Sequence, residues 1–203
     1  MNLPNKLTLF RIFMIPLFVI VFYIPVLNQT ISVLNHEITL ANIIGIIIFA
    51  IAAYTDRLDG QIARKENLVT TFGKFMDPLA DKLLVTAALL IAIELRLMPA
   101  FIPILIISRE FMVTGIRLLA ISEGKVIAAS PLGKLKTVSQ IVLIIALFLF
   151  DLKPDGIHQY MMFTQYGVLN IIIDILMTIA TLLTLISGYD YLQKNKKIIF
   201  LTK

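Results

Sequence analysis

Cysteine is missing from the 203 residues of this chain, and charge is scarce. The first absence excludes thiolate nucleophiles, zinc–thiolate sites and disulfide staples. The second excludes an ordinary soluble surface. Asp, Glu, Lys and Arg make up 15% of the chain against 59% hydrophobic residues, and the mean hydropathy is +0.92. A soluble domain of this size rarely has so little polar surface, so the composition indicates a multi-span membrane protein. Histidine is limited to His36 and His158, both far in sequence from the acidic clusters, which makes them polar loop residues rather than ligands. The net charge of +5 does not point to nucleic acid, because the basic residues flank apolar stretches and form no stripe. No internal repeat, low-complexity tract or domain-sized linker interrupts the chain, so residues 1–203 read as one domain. The apolar N-terminus lacks a small-residue cleavage pattern and reads as a retained first span.

Six apolar stretches reach membrane-spanning length, at residues 7–27, 39–56, 79–95, 100–120, 135–150 and 164–188. The fold expected is therefore all-α and polytopic, with six transmembrane helices. Pro16 and Pro25 are expected to bend the first span, which begins as a helix along the membrane surface. The second is expected to continue past the lipid to Arg64, because Gly60 is the one helix breaker on the way. With both ends inside, sixteen of the 18 Lys and Arg fall on the cytoplasmic side, leaving Arg96 and Lys153 outside. That asymmetry places both termini and the acidic clusters in the cytoplasm of a multi-pass cell-membrane protein.

Those clusters carry the chemistry. Asp56, Asp59, Gly60, Ala63 and Arg64 are followed by Gly73, Asp77 and Asp81, in the spacing D-x2-D-G-x2-A-R-x8-G-x3-D-x3-D. Four carboxylates within 26 residues, beside apolar runs, repel one another and resist burial unless a positive charge neutralises them. On a helix, Asp56, Asp59, Gly60 and Ala63 share one face, and Gly73, Asp77 and Asp81 share another. Pro78 disfavours helical geometry at Asp77, so the third helix is expected to start there. Two such faces opposite each other form a hard-oxygen cage suited to a pair of Mg²⁺ or Mn²⁺ ions. Two close metals can hold a diphosphate, and Arg64 can add a bidentate phosphate contact. Solvated loop acids are the bland alternative. A lone D-x-x-D would fit that alternative, but an ordered string with small residues at the same helical offsets does not.

The string resembles the signature of the CDP-alcohol phosphatidyltransferases, a family with six transmembrane helices and the signature between the second and third. The resemblance implies attack by an alcohol on the β-phosphate of CDP-diacylglycerol with release of CMP. It implies Asp56, Asp59 and Asp77 as metal ligands, and Asp81 as ligand to the second metal and general base. It further implies a CDP site of Gly60, Arg64 and Thr70 with the small residues Ala63 and Gly73, joined by Asn5 and Thr8. Family members are commonly homodimers, which makes a second copy an expected partner.

The acceptor must be read outside the signature. Ser108-Arg109-Glu110 lies within the fourth stretch, with Arg117 about 80° further round the helix. An arginine at membrane depth is costly unless it faces a polar cavity or a partner. Arg109, Arg117, Lys134 and Lys136 could line a pocket for the phosphate of a small alcohol such as glycerol 3-phosphate. Lys134 and Lys136 could instead set topology, and Arg109 could pair with Glu110. The N-L-P-N-K-L-T-L-F-R-I opening, I-S-R-E-F-x3-G-I-R-L-L-A and L-G-K-L-K-T resemble family members that use glycerol 3-phosphate. Serine, inositol phosphate and phosphatidylglycerol are alternative acceptors, and a cation transporter is an alternative of another class. Asp174, in the middle of the sixth stretch, is assigned a structural role, pairing with a buried cation or facing a second copy.

Overall fold

The computed structural model describes residues 2–33, 36–65, 71–122, 127, 130–150 and 168–196. Among them lie six α-helices: α1 (Leu3–Val21), α2 (Leu40–Lys65), α3 (Thr71–Glu94), α4 (Phe101–Ser122), α5 (Pro131–Phe150) and α6 (Val168–Lys194). Each corresponds to one apolar stretch, with boundaries that differ for local physical reasons.

The first stretch ends early. α1 runs through Pro16 and stops at Val21, and Pro25 opens a short 3₁₀ turn over Pro25–Asn28. Ile24, which precedes that proline, is extended at φ −85° and ψ 110°, as a pre-proline residue prefers. Pro25 therefore separates two elements and does not bend one. The all-helical expectation also misses a small sheet, β1 (Thr30–Val33) paired antiparallel with β2 (His36–Thr39), with Thr30 opposite Thr39. His36 thus lies in a strand, and His158 is outside the described residues. Thr39 then caps α2, its Oγ1 accepting from the Asn42 amide at 3.2 Å.

α2 runs to Lys65, carrying the whole first acidic cluster on one helix as expected. α3 begins at Thr71, six residues before Asp77, and is helical through Pro78. It ends in a left-handed Arg96 (φ 59°), with the amides of Arg96 and Leu97 bonded back to the carbonyls of Ile93 and Ala92. α5 starts four residues earlier than its apolar run. Ser130 supplies the cap, its Oγ accepting from the Gly133 amide at 3.1 Å, and Pro131 takes the first helical position.

The helices gather into two compact units, one of Met1–Leu97 with Ile145–Lys153, the other of Met98–Ile144 with Pro154–Lys203. In the first, α1 packs on α2 and α3, and α2 packs on α3. Its core holds an aromatic cluster in which the Phe18 ring lies 5.2 Å from Phe22 and 5.9 Å from Phe148 between centroids, both edge to face. Gly45 fits beneath the Phe22 ring with no room for a side chain. In the second unit, α4 packs on α6 around Val113, Ile116 and Tyr191.

Large apolar side chains also cover the outside, among them Phe13, Ile104, Phe111, Leu118 and Ile186. Among the described residues, two helices, Pro131–Phe150 and Ile171–Lys194, are long and apolar enough to cross a membrane. Exposed hydrophobic surface on such helices is that of a membrane protein.

Candidate active site

The acidic string is divided between two packed helices of the first unit. α2 is helical without interruption across Asp56, Asp59, Gly60, Ala63 and Arg64, so the offsets of three, four and seven place the first four on one face. α3 is helical across Gly73, Asp77 and Asp81, whose steps of four do the same. Thr70 lies outside the described residues, as do the side chains of 56–61, 63–65, 71–75, 77, 78 and 81. Backbone register and donor chemistry fit a divalent-metal cage. The residues come from adjacent helices, and carboxylate oxygen is the donor that Mg²⁺ and Mn²⁺ prefer.

The third helix of this unit brings a polar row of its own. Asn5, Thr8 and Arg11 recur every three residues along α1, and all three are buried, Arg11 completely. Each makes a hydrogen bond, ion pair, ring contact or electrostatic interaction. Asn5 and Thr8 were expected at the nucleotide. Arg11 is one of the sixteen basic residues counted to the cytoplasmic side, yet a guanidinium withdrawn from solvent requires acceptors around it. The three-residue spacing was the available signal.

The second unit gathers the other predicted residues unequally. Arg109 and Glu110 on α4 meet Lys136 on α5. Arg109 Nη1 donates to Glu110 Oε1 at 2.8 Å, and Lys136 Nζ donates to the same oxygen. Lys136 is 2% exposed and Arg109 10% in their side chains, so this is a largely desolvated group of two cations and one anion. Arg109 Nε is buried without a hydrogen-bond partner. Gly188 makes room for the arm, and Gly133 lies beside it at ordinary contact distance. A Cβ on Gly188 of α6 would sit 3.0 Å from Arg109 Cγ, and one on Gly133 would sit 4.0 Å from its Nη2. Below this group, Gln140 Nε2 donates to Thr184 Oγ1 at 3.4 Å, both buried.

Arg117 and Lys134 do not share Glu110. Arg117 is exposed and lies over the Tyr191 ring, 5.9 Å from its centroid, a cation–π distance. Lys134 is exposed in the first turns of α5. Glu110, which binds Arg109 and Lys136 together, was legible only as a possible neighbour of Arg109. The link to Lys136 is a tertiary contact. Asp174 is half-buried in α6, and its backbone carbonyl accepts from Thr178 Oγ1 at 2.8 Å. This leaves its carboxylate without an assigned role.

The described residues offer a cationic cluster around Glu110 in one unit and a carboxylate-rich helix pair in the other. Residues 1–186 match the family model for CDP-alcohol phosphatidyltransferase, across both units. The chain is 46% identical over 194 residues to a Bacillus subtilis CDP-diacylglycerol–glycerol-3-phosphate 3-phosphatidyltransferase, covering 96% of this chain and 95% of that one. A Rickettsia felis protein of the same name is 36% identical over 196 residues, covering 97% and 96%. A Mycobacterium tuberculosis protein named probable phosphatidylglycerophosphate synthase is 37% identical over 193 residues, covering 95% and 81%.

Proposed function

The chain belongs to the CDP-alcohol phosphatidyltransferase family, and from that premise we propose that it transfers the phosphatidyl group of CDP-diacylglycerol to sn-glycerol 3-phosphate. The products are phosphatidylglycerol phosphate and CMP. The observation that carries this reading is similarity along nearly the whole chain to transferases named for that acceptor, with every signature position retained on two packed helices.

The roles follow from the chemistry. Asp56, Asp59, Asp77 and Asp81 hold two divalent ions, Mg²⁺ or Mn²⁺. When bound, such ions neutralise charge on the diphosphate and on the departing CMP. Asn5, Thr8, Gly60, Ala63, Arg64, Thr70 and Gly73 form the CDP site, where small residues allow close approach and Arg64 supplies phosphate contacts. Arg109 and Lys136 bind the acceptor's phosphate, with Lys134 and Arg117 as further cations. The primary hydroxyl of the acceptor then attacks the β-phosphate and the bond to CMP breaks. Asp81 takes the hydroxyl proton. Fixing both substrates converts a two-body encounter into an oriented displacement.

The same reading makes all six helices membrane spans, with both termini and the aspartates on the cytoplasmic side. The two compact units act as a single domain, and the diacyl tails lie among the helices. The distribution of Lys and Arg supports this orientation. A homodimer is the proposed assembly.

Purified protein in lipid vesicles, given CDP-diacylglycerol and a divalent metal, should release CMP only when glycerol 3-phosphate is added. Release with serine, inositol phosphate or phosphatidylglycerol instead would refute the acceptor assignment. No release with any acceptor would refute the enzyme, as a cation transporter would require.

A further inference from the structure

The Glu110 carboxylate sits where an acceptor phosphate would compete for the same cations. Its Oε1 holds both Arg109 Nη1 and Lys136 Nζ, from two different helices. Two cations this desolvated repel each other, and a carboxylate between them lets both remain charged. Among the described residues, the group's two positive charges and one negative leave a single positive charge, enough to attract an anion.

Directionality matters as much as charge. A guanidinium presents its donors in a rigid planar fork. Glu110 occupies Nη1, while Nε is buried and has no partner. A buried N–H without an acceptor is unfavourable, and a phosphate oxygen would satisfy it. Gly188 leaves the space alongside the arm open, where any side chain would press on Arg109 Cγ.

We propose that Glu110 is a positioning residue for the acceptor. It clamps Arg109 and Lys136 into one orientation and directs the remaining donors of Arg109 toward the phosphate, without itself touching substrate. The proposal rests on the reading that Arg109 and Lys136 bind the phosphate of glycerol 3-phosphate.

The test is steady-state kinetics in vesicles with saturating metal, on Glu110→Gln, Glu110→Asp, Arg109→Lys and Lys136→Met, with thermal unfolding measured alongside. Glu110→Gln should raise KM for glycerol 3-phosphate roughly tenfold, equivalent to about 1.4 kcal/mol. KM for CDP-diacylglycerol should stay within about twofold, the pattern expected when binding of one substrate alone is weakened. Glu110→Asp keeps the charge at shorter reach and should recover part of the loss. If the Gln protein does not survive purification, an Asp protein with an elevated acceptor KM still supports the clamp, and one with an unchanged KM overturns it. Parallel increases in both KM values, tracking lost thermal stability, would overturn it as well. If Arg109→Lys and Lys136→Met raise the acceptor KM but Glu110→Gln does not, the clamp fails and the acceptor site stands. If none of them does, the acceptor site itself is wrong.

Discussion

Gly188→Ala separates stability from acceptor binding in one substitution. A Cβ at this position would stand 3.0 Å from Arg109 Cγ and 3.5 Å from Met112 Cε. Carbon atoms prefer roughly 3.5–4.0 Å, so the Arg109 arm must give by a few tenths of an ångström. Its bond to Glu110 is 2.8 Å long, and a shift of that size stretches it toward the ~3.2 Å limit of a good N–H···O bond. A hydrogen bond to a charged group contributes about 1.5–3 kcal/mol. Losing roughly a third to half of that is near 1 kcal/mol, or about fivefold in binding. The helix responds in the opposite direction. Gly188 lies inside α6, where alanine is favoured over glycine by about 0.5–1 kcal/mol. The weakened bond and the helix gain nearly cancel in the fold, so the expected protein melts close to the parent in the same micelles, while its KM for glycerol 3-phosphate rises roughly fivefold and its KM for CDP-diacylglycerol does not. Gly188→Val should go further in the same direction. An unchanged acceptor KM in both variants would show that the arm of Arg109 has no part in acceptor binding.

Three other outcomes are expected. Asp81→Asn should lower turnover by about 10²–10⁴ as a lost general base while CDP-lipid binding is retained; loss of binding with activity kept would contradict the assignment. Chelating divalent ions should abolish CMP release, and Mg²⁺ or Mn²⁺ should restore it, whereas full activity after exhaustive chelation would exclude the carboxylate cage. Gly45→Ala should destabilise the first unit. Its Cβ would come 2.5 Å from Phe22 Cζ, and the ring is confined by Phe18 and Phe148. Overpacking costs about 1–3 kcal/mol, against a helix-propensity gain of about 1 kcal/mol. Adding Phe22→Leu should restore the melting temperature, and a Gly45→Ala protein as stable as the parent would refute the close packing.

Much of this architecture could be read from residue order because its causes are local. Runs of apolar residues became helices at the expected places, and an unbroken pattern from Leu40 carried α2 through Arg64 to Lys65. The errors were also local. Pro25 was weighed as a bend within a span, but a proline after an extended residue starts a new element. Pro78 disfavours helix at Asp77 and places the expected start of the third helix there, yet α3 runs back to Thr71. The strand pair of Thr30–Val33 and His36–Thr39 escapes the sequence reading because its strands are four residues each, too short to show alternation.

Sequence by itself determined which residues share a helical face, since a repeat of 3.6 residues is a property of the backbone. It thereby determined that the aspartates of α2 align, that those of α3 align, and that the chain carries the signature of its family. Only the tertiary structure decided which cations matter together. Arg109 and Lys136 meet because Glu110 reaches across 26 residues of chain to a second helix, and Arg11 is buried because α1 packs on α2 and α3. Partners of that kind are chosen by packing between distant segments, which no local spacing encodes.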